Sequence, residues 1–152
     1  MEPRIVARPA FTVVGIGSHS RHEQGDIPAL WDRFNARRGE VRALGPGAYG
    51  VEGPSDPVTG AWDYLAGVEV DPTVPVPEGM ARWEVPAQAY AVFTCTLATL
   101  RQEYDRLEHV WLPRSGYRRA VGPEFEYYGA EFHPGHDDSP VSVYIPIAPQ
   151  CG

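Results

Sequence analysis

The sequence predicts an α+β fold in which a strand–helix–strand–strand unit occurs twice. Three observations point to it. Two segments carry helical periodicity, apolar segments of strand length fall in the same order around each, and Pro- and Gly-rich stretches connect them. The two halves, about residues 5–72 and 80–150, are offset by roughly 80 residues, longer than a solenoid period and suited to a duplicated unit. With helices on one side of an antiparallel sheet, one domain over residues 1–152 is the expected organisation.

The first helix is predicted in "GDIPALWDRFNARRG", where Ile27, Leu30, Trp31 and Phe34 fall at i, i+3, i+4 and i+7. Asp26 suits the N-cap, Pro28 the first turn, and Arg37 and Arg38 before Gly39 the last. The second is predicted in "LATLRQEYDRLEHVWLPRSG", where Leu97, Leu100, Tyr104, Leu107 and Trp111 recur at helical spacing and Pro113 should stop the run. "AFTVVGIGS" and "AYAVFTCT" read as the strands before each helix. "GAYGVEG" with "WDYLAGVEV" follows the first helix, and "FEYYGAEF" with "VSVYIPI" the second. In the last of these Val141, Val143, Ile145 and Ile147 alternate with Ser142, Tyr144 and Pro146, the pattern of a half-buried strand. "GPSDPVTGA" and "HPGHDDSP" are turn clusters, and "DPTVPVPEGM" reads as a stiff crossover between the halves.

Composition narrows the function classes. Hydrophobic residues make up 43% and charged residues 22%, ordinary for a globular chain of 152 residues. A formal charge of −7 argues against a nucleic-acid surface, which wants clustered basic residues, and favours a cationic partner weakly. Cys95 and Cys151 make no disulfide framework. The N-terminal stretch lacks a signal-peptide pattern and no apolar run approaches the ~18 residues of a membrane helix, so a cytoplasmic, membrane-free protein is expected.

"GPEFEYYGAEF" is the stretch that bears on function. Read as one strand from Gly122 to Phe132, it points Phe125 and Tyr127 one way and Glu126, Tyr128 and Phe132 the other. A carboxylate flanked by rings on its own face lies either on a wet sheet surface or in a pocket that holds something. In a pocket it needs a partner cation, hydrogen bonds or a proton.

The element order, with "WDYLAGVEV" near the middle, "VWLPRSGY" after the second helix, "PEFEYYG" and a closing "VYIPI", resembles the GyrI-like family, also called AraC-type or bacterial transcription-activator effector-binding domains. The likeness covers nearly the whole chain. It implies two βαββ units about a pseudo-twofold, a curved sheet, and a pocket between the two halves and their helices. Members bind amphipathic, often cationic aromatic compounds through an acidic residue in an aromatic-lined cavity. Some are fused to DNA-binding modules, some stand alone, one branch inhibits DNA gyrase, and some stand-alone members hydrolyse cyclopropane-bearing genotoxins.

By that resemblance Glu126 takes the acidic position on the penultimate strand, and Tyr128 and Trp111 take aromatic positions. Tyr49, Glu52 and Tyr64 sit on the equivalent strands of the more divergent first half, and Trp31 and Phe34 complete the candidate ligand-binding set from the first helix. The rings on helical stripes, Trp31, Phe34, Tyr104 and Trp111, equally suit an ordinary core. The leading expectation is a stand-alone domain that binds an amphipathic, aromatic or cationic molecule as a sensor or sequestering protein. The alternatives are a cyclopropane hydrolase, with Glu126 activating water and Tyr128 donating a hydrogen bond, and a gyrase inhibitor. If the family's regulatory role applies, the DNA-reading part must be elsewhere or absent, since no helix-turn-helix fits.

No cofactor and no metal are expected. "HPGHDD" offers His133, His136, Asp137 and Asp138, and "SHSRH" offers His19 and His22, but short spacings in turns favour a solvated loop tip. No phosphate-binding loop or nucleophile elbow is present, and Cys95 has no neighbouring base to activate it.

Overall fold

The computed structural model describes residues 3–20, 26–133 and 136–150. His22, Cys151 and the Pro134–Gly135 centre of the late turn lie outside the described residues. The chain runs β1 (Arg4–Arg8), β2 (Phe11–Ser20), α1 (Asp26–Arg37), a 3-10 turn (Arg38–Glu40), β3 (Ala48–Ser55), β4 (Trp62–Val70), β5 (Ala81–Val85) and β6 (Gln88–Thr96). It continues through α2 (Leu100–Arg106), a π-helical turn (Leu107–Trp111), α3 (Leu112–Ser115), β7 (Tyr117–Arg119), β8 (Glu124–Tyr128) and β9 (Pro140–Pro149). The nine strands pair antiparallel in the order β1-β6-β9-β8-β3-β4-β2-β5, with β7 added on β9. Read outward from the β3–β8 pair, the two sides have equivalent connectivity. One is β3-β4-β2 with α1 after its first strand, the other β8-β9-β6 with α2 in the same place.

The outermost strands force the sheet to curve. β1 joins β2 through Pro9 and Ala10, and β5 joins β6 through Pro86 and Ala87, yet the members of each pair lie in opposite halves of the sheet order. Three peptide links span at most ~11 Å, so the two ends of the sheet must approach one another. The concave face holds one core cluster drawn from both ends, including Phe11, Val13, Tyr49, Leu65, Val85, Tyr90 and Phe125. The convex face carries the helices over two further clusters. Leu30 and Phe34 of α1 pack on Val14, Ile16, Tyr64, Ala66 and Val68, and Leu107 packs on Ala91, Phe93, Val143, Ile145 and Ile147. The mixed α+β architecture and curved antiparallel sheet are therefore as the sequence predicts. No described helix is long and apolar enough to cross a membrane.

Two local expectations need correction. Pro113 does not stop the second helix, which runs on to Ser115 and ends at Gly116 with φ 79°. A proline ring collides with the carbonyl four residues back only in a regular α-helical turn. Here the turn before it is widened, with the Leu112 N–H bonded to Leu107 O, five residues back. The aromatic strand also ends early, at Tyr128 rather than Phe132. Its partner β3 begins at Ala48, opposite Tyr128, so no ladder partner exists beyond that point. The chain turns instead, with the Phe132 N–H bonded to Gly129 O at 3.0 Å, and the Phe132 ring returns to lie 4.7 Å from that of Tyr128. The short strands β1, β5 and β7 carry no alternating pattern long enough to announce them.

Candidate functional site: a carboxylate among rings where the halves meet

The β3–β8 register sets the site. Glu52 pairs with Glu124, Gly50 with Glu126 and Ala48 with Tyr128, so these six residues share the convex, helix-bearing face. Across β3, Gly50 also pairs with Ala66 and Glu52 with Tyr64. Gly50 makes room for the aromatic layer above it: a Cβ there would fall 2.2 Å from the Tyr64 hydroxyl.

Glu126 is held by hydroxyls and surrounded by rings. Tyr128 donates a short hydrogen bond to Glu126 Oε2. Trp31 Nε1 donates to the Tyr64 hydroxyl at 2.9 Å, and that hydroxyl faces the one of Tyr128. Trp31 on α1, Tyr64 and Tyr128 thus line up toward Glu126 on β8, with Tyr128 as the donor to the carboxylate. The Trp31 and Tyr128 rings meet edge to face at 5.4 Å. From the other helix, the buried Tyr104 hydroxyl faces the same carboxylate, close enough to favour its ionised form, but completes no hydrogen bond of normal geometry. Among the described residues no Arg or His lies within salt-bridge distance of Glu126.

The electrostatics follow from that burial. Desolvation raises the proton affinity of Glu126, the Tyr128 hydrogen bond opposes it, and the charge of Glu124 adds to it. Glu52 is pushed well above the usual carboxylate range, first by burial, then by its hydrogen bond to Glu124 and the charges of Glu124 and Glu126. Pushed up to about 9, Glu52 holds its proton beside Glu124. Arg119 answers part of this charge by binding Glu124 at 2.6 Å, though it also pairs with Glu108. Burial, and then the nearby carboxylates, keep Tyr64 and Tyr104 as phenols. An open cleft of about 760 Å³ begins where this row ends; Glu52 and Glu124 border it, with Trp83 across from them, while Glu126 does not.

The structure divides the eight candidate residues. It brings Glu126, Tyr128, Tyr64, Trp31 and Glu52 together. Tyr49 projects from the concave face, where its hydroxyl meets Arg8 and Glu69 at 3.2 Å each, because it is one residue out of phase with Gly50. Phe34 is wholly buried beneath α1 and is a core residue. Trp111 stacks on Tyr117 at 6.2 Å and borders a different groove. Two residues of the site were missed. Glu124 is two positions before Glu126 and shares its face by strand alternation, a signal that was there to be read. Tyr104 lay on an apolar helical stripe that read as core. Cys95 is buried, and burial pushes its thiol up to about 11. Among the described residues no group of three or more His, Cys, Asp or Glu is arranged to hold a metal ion; His19 pairs with Asp63 instead.

Comparison with known proteins places this geometry in a family. The model of integron-associated effector binding proteins, Cass2, matches residues 4–147. The transcriptional regulator BrlR of Pseudomonas aeruginosa is 38% identical over 152 residues, covering 97% of this chain and 56% of the regulator, so the chain spans about half of that relative's length. The structure of SAV2435 bound to tetraphenylphosphonium superposes with a TM-score of 0.77 at 19% identity, over 97% of this chain and 94% of the other. The integron cassette protein VCH_CASS2 from the mobile metagenome of Vibrio cholerae gives 0.67 at 21% identity, over 97% of each chain. At such identities these two establish the fold. Matched by its family model along nearly its whole length, the chain belongs to the Cass2 family of integron-associated effector binding proteins, within the GyrI-like group that its sequence resembles.

Proposed function

We propose that the chain binds an amphipathic aromatic cation on the helix-bearing face of the β3–β8 pair, with Glu126 as counter-charge, and acts as a sensor or sequestering protein. One observation carries this reading: a buried carboxylate lies among Trp31, Tyr64, Tyr104 and Tyr128 with no basic side chain of the described chain to answer it. A cation lodged there gains the carboxylate's attraction together with cation–π contacts of about 0.5–2 kcal/mol per ring. Tetraphenylphosphonium, the ligand of the SAV2435 structure, is a lipophilic aromatic cation of this kind. Glu52 and Glu124 border the neighbouring cleft and favour cations at its mouth. Coupling to transcription, the role of BrlR, requires a DNA-reading module outside these residues.

Because burial raises the proton affinity of Glu126, protons compete with a cation for it, and cation affinity rises as pH rises through that range. Calorimetric titration with tetraphenylphosphonium and with neutral triphenylphosphine oxide tests the assignment. Glu126→Gln weakens the cation by on the order of tenfold or more while leaving the neutral compound within about twofold. Equal losses for both ligands remove Glu126 from the role.

A further inference from the structure

The second helix carries a groove on its outer side that the cation reading does not use. It encloses about 210 Å³ and shares no lining residue with the acidic cleft. Its apolar part comes from Phe93 and Leu107, buried to 7% and 3% exposure, and from the indole of Trp111. That indole is held almost parallel to Tyr117, with 10° between the ring planes, so it forms a fixed aromatic wall.

The charge of this groove is opposite to that of the Glu126 site. Arg106 and Arg114 both border it, and Glu103 is its sole acid among the described residues. Glu103 reaches Arg106 at 3.6 Å, an i,i+3 surface pair that holds the guanidinium weakly. Arg114 makes no ion pair among the described residues. The π-helical turn explains why two arginines eight residues apart meet here. In a regular α-helix they would be roughly 80° out of line. The turn at Leu107–Trp111 closes over five residues instead of four and so winds less per residue, which takes up that offset. Departures of this kind recur at functional sites.

We infer that this groove is a second ligand site, for a small planar aromatic anion whose ring lies against Trp111 and whose carboxylate or sulfonate is bound by Arg106 and Arg114. Guanidinium groups suit such heads because they donate paired hydrogen bonds in a planar fork. The volume falls below the roughly 300–1,000 Å³ of drug-sized pockets and so selects ligands of one or two rings. The inference is independent of the cation site and stands or falls separately.

Equilibrium dialysis of the full chain with 2-naphthoate and with its neutral methyl ester tests it. The unmodified protein binds the anion on the order of tenfold more tightly than the ester, and the Arg106→Gln/Arg114→Gln double variant loses that margin without losing the ester. Both arginines border solvent, so the double variant keeps its fold, which circular dichroism verifies. Trp111→Leu weakens both compounds, and Glu126→Gln changes neither. Equal binding of acid and ester, unchanged naphthoate binding by the double variant, or tighter naphthoate binding by Glu126→Gln each overturns the inference. The last result would move the anion to the cation site.

Discussion

The two faces of the β3–β8 pair each bury a charge among aromatic rings, and they differ in who answers it. On the concave face the Arg8 guanidinium lies 3.8 Å from the centre of the Phe11 ring, with Tyr49 and Phe125 beside it, and donates to Tyr49 and Glu69. Cation, rings and counter-ion all come from the chain, so that face is complete. On the convex face Glu126 has rings and phenols, but among the described residues no basic group pairs with it and its charged neighbour is the carboxylate of Glu124. An aromatic cage around a charge is thus no sign of a ligand site in itself. What distinguishes the two is whether the fold supplies the opposite charge.

Three measurements break or sharpen this contrast. Phe125→Ala should have the largest effect. The ring is 1% exposed and touches Phe11, Tyr49, Tyr90 and Tyr144, so its loss costs about 3–5 kcal/mol in urea unfolding. Arg8→Met keeps the stem over Phe11 but leaves Glu69 with the Tyr49 hydroxyl and no cation, and costs about 2 kcal/mol. Tetraphenylphosphonium affinity should stay within about twofold for that variant. If it collapses as for Glu126→Gln, the two faces are not separate and the contrast fails.

The third measurement is the pH dependence of stability. Glu52 and Glu126 have folded-state proton affinities above their unfolded ones, so the unfolded chain gives up these protons first. Their contribution is full below the ordinary carboxylate value of 4.5 and is lost as pH rises from there through the raised folded values. Each removes up to about 1.4 kcal/mol per pH unit within its window. Glu52→Gln should flatten the decline in unfolding free energy between about pH 5 and pH 8. Arg8 and Tyr49 add nothing over that range, since, against desolvation, Tyr49 and Glu69 hold Arg8 above its ordinary value, and burial pushes the Tyr49 phenol up to about 12. A slope that Glu52→Gln leaves unchanged would show that Glu52 does not hold a proton through this range.

Much of the fold was legible because its signals are local. The stripe of α1, the alternation of β9 and the buried run Phe11–Ile16 that opens β2 are each visible within a few neighbouring residues. The placement of Glu126 and Tyr128 opposite Phe125 and Tyr127 follows from strand alternation in the same way. Tyr49 went astray because its face depends on phase relative to Gly50, and an aromatic suits either side of a strand buried on both faces. Trp111 went astray because the π-helical turn changes the angular register of everything after Leu107. The course of the helix through Pro113 was hidden by the same departure.

By itself, then, the sequence determined the element types, the duplicated order and the carboxylate set on one side of an aromatic strand, since each depends on neighbours a few positions away. Only the tertiary structure decided that Glu52 stands beside Glu124 and Glu126, that Arg8 reaches the opposite face, and that Arg106 and Arg114 share one groove. The first two join strands far apart in the chain, whose register is selected by burying both halves at once. The third depends on a widened helical turn that no local periodicity announces.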